Sequence, residues 1–455
     1  MQGPEGWPDV AEAGGAGHEG GRWRRAGEAG GTGQVVQALF VHQNFPGQYR
    51  HLAPAIAQRK GARVIGLGER PNIALPGVQH IRYPAPQGAG EKTHRYLRPI
   101  EAAVRRGQAA AQACVGLYRQ GFRPDIICCH PGWGEGLYLR DVFPDARLLY
   151  YCEFYYSARG ADVGFDPSQE VTLDEMARVR TLNITQLLSL ESCDWGVSPT
   201  LWQRSRYTPL LRDRISVVHE GVDTEAVATP EGPAEFTLPD GRVLRRGDEV
   251  LSFVSRNLEP YRGFDVFMRA LPTILGRRPN AQVVVVGGED RGYGRLPPDG
   301  GSWKTHMLKE LEGKLDLARI HFVGRIPHPA LLALFRVARA HVYLTYPFVL
   351  SWSMIEAMGC GALVIGSATP PVQEVIRHGE NGLLVDFHSV GELADTVVGA
   401  LTAPERYVPL RAEARRTAVE RYDLRTVCLP QQIALFDAVA AGKPGTAAIP
   451  APPEG

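Results

Sequence analysis

Short runs of consecutive apolar residues alternate along this chain with longer stretches in which apolar positions recur every three or four residues. The short runs lie at 37–42 (QALFVH), 62–67, 125–130 (DIICCH), 146–156, 194–197 and 215–219, then again at 250–255, 282–286, 320–323, 341–344 and 362–366. A run that is apolar at every position predicts a strand buried on both faces, as in a parallel sheet covered by helices. Helix-period stretches at 49–60, 95–120, 171–192, 264–275, 390–401, 404–422 and 424–440 can supply those helices. The alternation predicts an α/β chain with two Rossmann-like halves. Asp240-Gly241 predicts a hairpin over 236–244. The implied division is a disordered segment at 1–33, halves at 34–212 and 213–423, a crossing helix at 424–441 and a flexible tail at 442–455.

In open parallel sheets, ligands meet the carboxyl ends of the strands, where helix N-termini point free N–H groups at anions. Candidate chemistry is therefore sought just past each apolar run. Gly47 follows the first run, and its missing Cβ allows backbone to approach a ligand or forms an ordinary turn. His130 and Glu135 follow the run at 125–130; the histidine is either a ligand group or a structural imidazole. Glu135 is a candidate for an acceptor hydroxyl or a helix cap. Tyr155, Tyr156 and the loop 160–167 are candidates for an acceptor wall. Arg256 and Arg262 bracket a Pro-containing turn between a strand and a helix, where two guanidinium groups can grip a phosphate or stay solvated. Arg325 ends a Gly-Arg turn after the run at 320–323. Leu350, Ser351, Ser353 and Glu356 stand where a helix begins, and Thr369 opens the next. Ser353-Met354-Ile355-Glu356 also fits a capping box, and Glu374 fits a first-turn carboxylate.

Composition narrows the class. A formal charge of +1 over 455 residues gives no overall field for nucleic acid or a membrane surface. Arg204, Arg206, Arg212 and Arg214 form a local basic patch, a solvated face or a peripheral surface. Seven cysteines without a C-x-x-C spacing argue for reduced, buried thiols and against zinc, so no metal site is expected. No stretch reaches the roughly 20 apolar residues a membrane span needs. Asn183-Ile184-Thr185 matches a glycosylation acceptor by chance, because no secretion signal precedes it.

The string at 341–376, HVYLTYPFVLSWSMIEAMGCGALVIGSATPPVQEVI, closely resembles the donor-site motif of retaining family-4 glycosyltransferases of the GT-B fold. That motif carries two glutamates; the second matches Glu356, while Phe348 stands at the first. FVHQNFPGQYRHLAP resembles the opening of one subgroup, and the dinucleotide fingerprint G-x-G-x-x-G is absent there. The resemblance implies two facing Rossmann-like domains around a donor-binding cleft, with a C-terminal helix crossing back. It implies Arg256 and Arg262 on the donor diphosphate, Glu356 on the ribose and His130 on the sugar. The loop at Gly47 would face the phosphates, Arg325 the nucleobase, and Leu350, Ser351 and Thr369 the donor. It further implies retaining sugar transfer to a hydroxyl with a nucleotide-diphosphate-sugar co-substrate and no cofactor or metal. The acceptor is a glycan, a lipid-linked group or a small molecule, and the location cytoplasmic or peripheral at the inner membrane face. An epimerase or hydrolase of the same fold, or a binding module without catalysis, stays open.

Overall fold

A computed structural model describes residues 36–228 and 234–445. The segment 1–33 and the last ten positions of the tail fall outside the described residues. Seven parallel strands form the first sheet: β1 (Gln37–Val41), β2 (Arg63–Gly68), β3 (Val78–Arg82), β4 (Ile126–Cys129), β5 (Arg147–Tyr151), β6 (Trp195–Ser198) and β7 (Ile215–Val217), in the order β3-β2-β1-β4-β5-β6-β7. A small antiparallel hairpin follows, β8 (Glu235–Thr237) with β9 (Val243–Arg245). The second sheet holds β10 (Val250–Asn257), β11 (Gln282–Gly288), β12 (Ile320–Gly324), β13 (Ala340–Tyr343), β14 (Val364–Ser367) and β15 (Leu383–Val385), in the order β12-β11-β10-β13-β14-β15. The strand order reverses beside β1 and β10, the place where such sheets open a crevice for ligands.

Period-two alternation explains why β1 and β4 read as continuous apolar runs. Leu39, Val41, Ile127 and Cys129 face one core with Ala110, Cys114 and Leu117 of helix Arg98–Arg119. Ala38, Phe40, Ile126 and Cys128 face the other, with Ile56, Phe436 and Val439. Neighbouring Cys128 and Cys129 thus point to opposite faces, and all seven cysteines are free thiols. Burial pushes the Cys114 thiol up to about 12. The second sheet repeats the scheme, with Phe264, Phe267 and Leu271 of helix Phe264–Arg277 against Phe253 and Val285.

Several elements depart from the pattern reading. β7 pairs with β6, so the first sheet continues past the boundary expected at position 212. The run at 146–156 leaves the sheet after Tyr151. The helix expected over 171–192 is two helices, Leu173–Leu182 and Ile184–Glu191. They meet at Asn183, which is 3% exposed; its Oδ1 accepts from Tyr156 N at 2.9 Å and its Nδ2 donates to Tyr156 O at 2.8 Å. Side chains that bond backbone break helices in this way.

Two chain crossings join the halves. Val222 N donates to Tyr422 O and Leu424 N to Val222 O, each at 2.8 Å, pairing the crossings side by side. Helix Leu429–Ala440 then returns to the first sheet, where Leu435, Phe436 and Val439 are buried. Glu374 ties the halves again: its two carboxylate oxygens accept from Leu201 N and Trp202 N, both at 2.8 Å. It therefore caps helix Leu201–Arg206 across the cleft rather than serving its own helix.

Candidate active site in the cleft between the sheets

A cavity of ≈450 Å³ lies between the carboxyl ends of the two sheets. Gln48, Arg50, Glu153 and Glu220 reach it from the first crossing and its sheet; Arg256, Asn257, Arg262 and Glu356 reach it from the second. Both arginines picked out by their spacing therefore face one cleft, opposite the loop that follows Gly47.

The ladder between β10 and β11 shifts register between Val254 and Asn257, and this irregularity leaves Arg256 exposed at the strand end. Arg256 makes no ion pair among the described residues. The chain then turns through Pro260–Arg262 and closes at Gly263 with φ 67°. A Cβ there would lie 2.4 Å from Leu344 Cβ, so only glycine lets this turn press against the strand end beyond β13. Arg262 Nη1 donates to Thr345 Oγ1 at 2.8 Å, to Val349 O at 3.0 Å and to Tyr343 Oη at 3.3 Å. These partners are all neutral, so they fix the guanidinium without cancelling its charge. That is the requirement for an anion site. Glu259 in the same turn is 3% exposed and accepts from Tyr293 N at 2.7 Å and Gly294 N at 2.9 Å. Burial raises its carboxyl above the ordinary value, an effect opposed by those two amides and by both arginines.

Helix Trp352–Gly359 starts at the cavity wall from Ser351, without a side-chain cap on its first amides. Leu350, Ser351 and Ser353 line the cavity beside it. Ser351 N donates to Tyr343 Oη at 2.8 Å. Because the helix begins at Trp352, Glu356 falls in its second turn and closes no capping box. Instead its Oε1 meets His328 Nε2 at 2.7 Å. Phe348, in place of the motif's first glutamate, is 7% exposed and packs on Phe154 and Tyr293 with ring centroids 4.8 and 4.9 Å away.

His130 lies one layer behind the wall. It is 3% exposed, stacked on Trp133 at 4.1 Å, and its Nδ1 accepts from Gly132 N at 3.2 Å. That bond leaves the proton on Nε2, which faces Glu153 Oε2 at 3.3 Å. Gln48 Nε2 donates to Glu153 Oε1 at 3.1 Å, so Glu153 is the group that reaches the cavity and His130 orients it. The expectation that His130 itself meets the sugar changes accordingly. Gly47 is also spoken for: with φ 47°, its Cβ would fall 2.5 Å from His42 Nε2, so it makes room for an imidazole rather than for a ligand. Thr369 is 2% exposed and reaches the site only through hydroxyls, its Oγ1 meeting Ser367 Oγ at 3.1 Å, which accepts from Thr345 N at 3.1 Å. Arg325 stands outside the cavity, held by Asn257 Oδ1 at 2.7 Å and by Asp290. Glu135 is fully buried in the first turn of the short helix Glu135–Tyr138 and accepts from Tyr83 Oη at 2.7 Å, away from the cavity. Tyr155 and Tyr156 are absent from the cavity wall and pack on Tyr207 and Phe154.

Glu153, Glu220, Glu259 and His328 carry no signal in the spacing of motifs. Glu153 alone gives a hint, as the one acid within an aromatic run. Glu220 joins both halves: Tyr151 Oη donates to its Oε1 and Trp352 Nε1 to its Oε2 at 3.1 Å. Burial pushes its carboxyl up to about 7. Folding therefore takes up a proton between the ordinary 4.5 and about 7, and stability falls as pH rises through that window. His219, lowered to about 4 by burial, contributes the opposite slope over an overlapping range. Comparing wild type with Glu220→Gln cancels the His219 part. The amide facing Trp352 Nε1 adds a constant cost, but relative to wild type the variant should gain about 1–3 kcal/mol between roughly pH 5 and pH 8. Chemical denaturation at several pH values reads this out; a difference that stays flat removes the assignment.

The comparisons agree with this geometry. Residues 60–227 match the profile of the glycosyl transferase family 4 group, and residues 240–417 that of glycosyl transferases group 1. The D-inositol 3-phosphate glycosyltransferase of Mycobacterium tuberculosis (strain ATCC 25618 / H37Rv) is 30% identical over 226 residues, 48% of this chain and 42% of that protein. The match thus spans less than half the length of this curated relative. Among solved structures, sucrose-phosphate synthase from Thermosynechococcus elongatus superposes with a TM-score of 0.67 at 20% identity, over 90% of this chain and 100% of the other. Anabaena HepE in complex with UDP-glucose gives 0.60 at 16% identity, over 89% and 99%. Two parallel-sheet halves, the cleft between them and the two matched profiles place the chain in the group 1 glycosyl transferases of family 4, with the GT-B fold.

Proposed function

We propose that the chain moves a sugar from a nucleotide-diphosphate-sugar donor onto an acceptor hydroxyl, with retention of anomeric configuration and without a metal. The observation that carries this reading is the Arg262 guanidinium, held in the cleft by Thr345 and Val349 with no carboxylate on it, beside Arg256. Breaking the glycosidic bond leaves charge on the departing diphosphate, and fixed cations in a partly enclosed cleft stabilise that charge without reorganising. The uncapped start of helix Trp352–Gly359 adds its free amides. Glu356 has the carboxylate to accept from ribose hydroxyls. Glu153, oriented by His130 and Gln48, offers an acceptor oxygen toward the transferred ring. The co-crystallised UDP-glucose of HepE supports a donor of this class.

The test is incubation with UDP-, GDP- and ADP-sugars and a panel of hydroxyl acceptors. Proton NMR of the product should show the same anomeric configuration as the donor. An inverted product overturns retention; release of free sugar at the same rate with and without acceptor favours a hydrolase.

A further inference from the structure

Glu220 is 7% exposed in the wall of the cleft, on the first of the two chain crossings. Its backbone is fixed where it stands. Gln432 Nε2, on the helix that returns to the first sheet, donates to His219 O and Glu220 O, each at 3.1 Å. Gly221 N donates to His219 Nδ1 at 2.9 Å, and Val222 pairs with the second crossing. The carboxylate is therefore a fixed point between the halves, and each half brings one donor to it. Tyr151 Oη, at the end of β5, donates to Oε1; Trp352 Nε1 donates to Oε2 at 3.1 Å.

Each donor is part of a different functional wall. Trp352 is the first residue of the helix whose uncapped start faces the cleft, so its indole is tied to the crossing while its backbone belongs to the anion-facing end. Tyr151 has its ring 5.5 Å from that of His130, whose Nε2 faces Glu153 Oε2 at 3.3 Å. The helix start and the Glu153 wall thus stem from opposite halves and meet through one carboxylate. No arginine or lysine pairs with Glu220 among the described residues. His219 Nε2 lies 3.8 Å away, and burial lowers that imidazole to about 4, so it is neutral near pH 7. A carboxylate buried without a cation is costly, and a packed apolar side chain would avoid the cost. What an apolar residue lacks is two acceptor oxygens aimed at opposite halves. Chain crossings are where two halves can pivot, and a misplacement of about 1 Å at reacting groups can lower a rate roughly 10²-fold.

We infer that Glu220 is a positioning residue: through Trp352 and Tyr151 it sets the spacing between the donor-facing helix of the second half and the Glu153 wall of the first. The inference rests on the transferase reading of the cleft, and it deepens that reading by naming the group that aligns the two halves. The side chains assigned to the donor's diphosphate and ribose, Arg256, Arg262 and Glu356, all belong to the second half. Loss of the bridge should therefore leave donor affinity in place and lower turnover.

The test compares wild type with Glu220→Ala, Tyr151→Phe, Trp352→Phe and the double variant Tyr151→Phe/Trp352→Phe, all as the full chain. Turnover is measured by the assay above, and calorimetry with UDP-glucose, GDP-mannose and ADP-glucose gives donor affinity. Turnover should fall roughly 10–10²-fold in each variant while donor affinity stays within about threefold of wild type. The two donors act in series through one carboxylate, so the double variant should be no slower than the slower single one. Glu220→Gln should recover most of the loss seen in Glu220→Ala, since an amide can accept from Trp352 Nε1 and donate to Tyr151 Oη. Unchanged turnover in Tyr151→Phe and Trp352→Phe overturns the proposal. So do losses that multiply in the double variant, or a donor affinity that falls as far as turnover. Should Glu220→Ala fail to fold, the two phenylalanine variants, which keep their rings, still decide. A wild type that binds none of the three sugar nucleotides strikes the transferase reading instead. The bridge is then judged from melting temperatures alone: shifts smaller in the double variant than the sum of the singles support it, and additive shifts overturn it.

Discussion

Arg262→Ala is expected to lower turnover by roughly 10²–10³-fold, the scale of one lost donor to developing charge. The side chain is half-buried, its Nη1 is fixed by three neutral oxygens, and its guanidinium carbon stands 5.9 Å from the centre of the Phe348 ring. Its position is thus set before any ligand arrives, and its charge is uncancelled by an ion pair. Both properties favour a state in which negative charge develops over the ground state. Arg262→Lys should recover only part of the loss, since an ammonium cannot reach Thr345 and Val349 and still present a paired fork. Arg256→Ala should fall in the same range, with a larger share of the loss in donor affinity, because that side chain is exposed and ordered by nothing among the described residues. Steady-state kinetics with saturating donor, alongside melting curves that show intact folding, measure this. Turnover within a few-fold of wild type in both variants removes the arginines from the mechanism.

Gly134→Ala should be the most damaging single methyl in the first half. At φ 111° the backbone adopts a conformation that L residues rarely take, and a Cβ would stand 2.1 Å from Ala103 O. The contact is backbone against backbone: Gly107 on the same helix lies so close that its own Cβ would meet Gly134 O at 2.7 Å. Neither side can yield by rotating a side chain. Overpacking and backbone strain together predict a loss on the order of 3 kcal/mol or more. The loop that starts at His130 would have to lift from helix Arg98–Arg119, so the orientation of Glu153 should suffer with it. Gly241→Ala is the control, with φ 86° but nothing within 4 Å of its Cβ. It should cost only the strain, roughly 1 kcal/mol. Denaturant melts of the two variants decide the matter: equal midpoints would show that the close approach at Gly134 carries no weight.

Phe348 packs its ring on Phe154 and Tyr293 at the position where the related motif carries an acid. Among the described residues, no helix is long and apolar enough to cross a membrane.

The order of apolar runs and helix-period stretches determined two parallel sheets, because burial on both faces leaves strands no polar alternation. The same local logic marked Arg256, Arg262, Ser351 and Glu356, each at a strand end or helix start where the backbone dictates direction. What sequence could not decide was which strand-end groups meet one another. His130 and Glu356 follow the same kind of strand, yet one is buried behind Glu153 and the other lines the cleft. Gly47 and Arg325 occupy equivalent turns and are taken up by His42 and Asp290. Glu374 caps a helix in the opposite half, more than 170 positions away. Local propensity fixes where a side chain leaves the backbone, but partners across a domain crossing are set by how two finished sheets pack, and that depends on contacts no local pattern encodes.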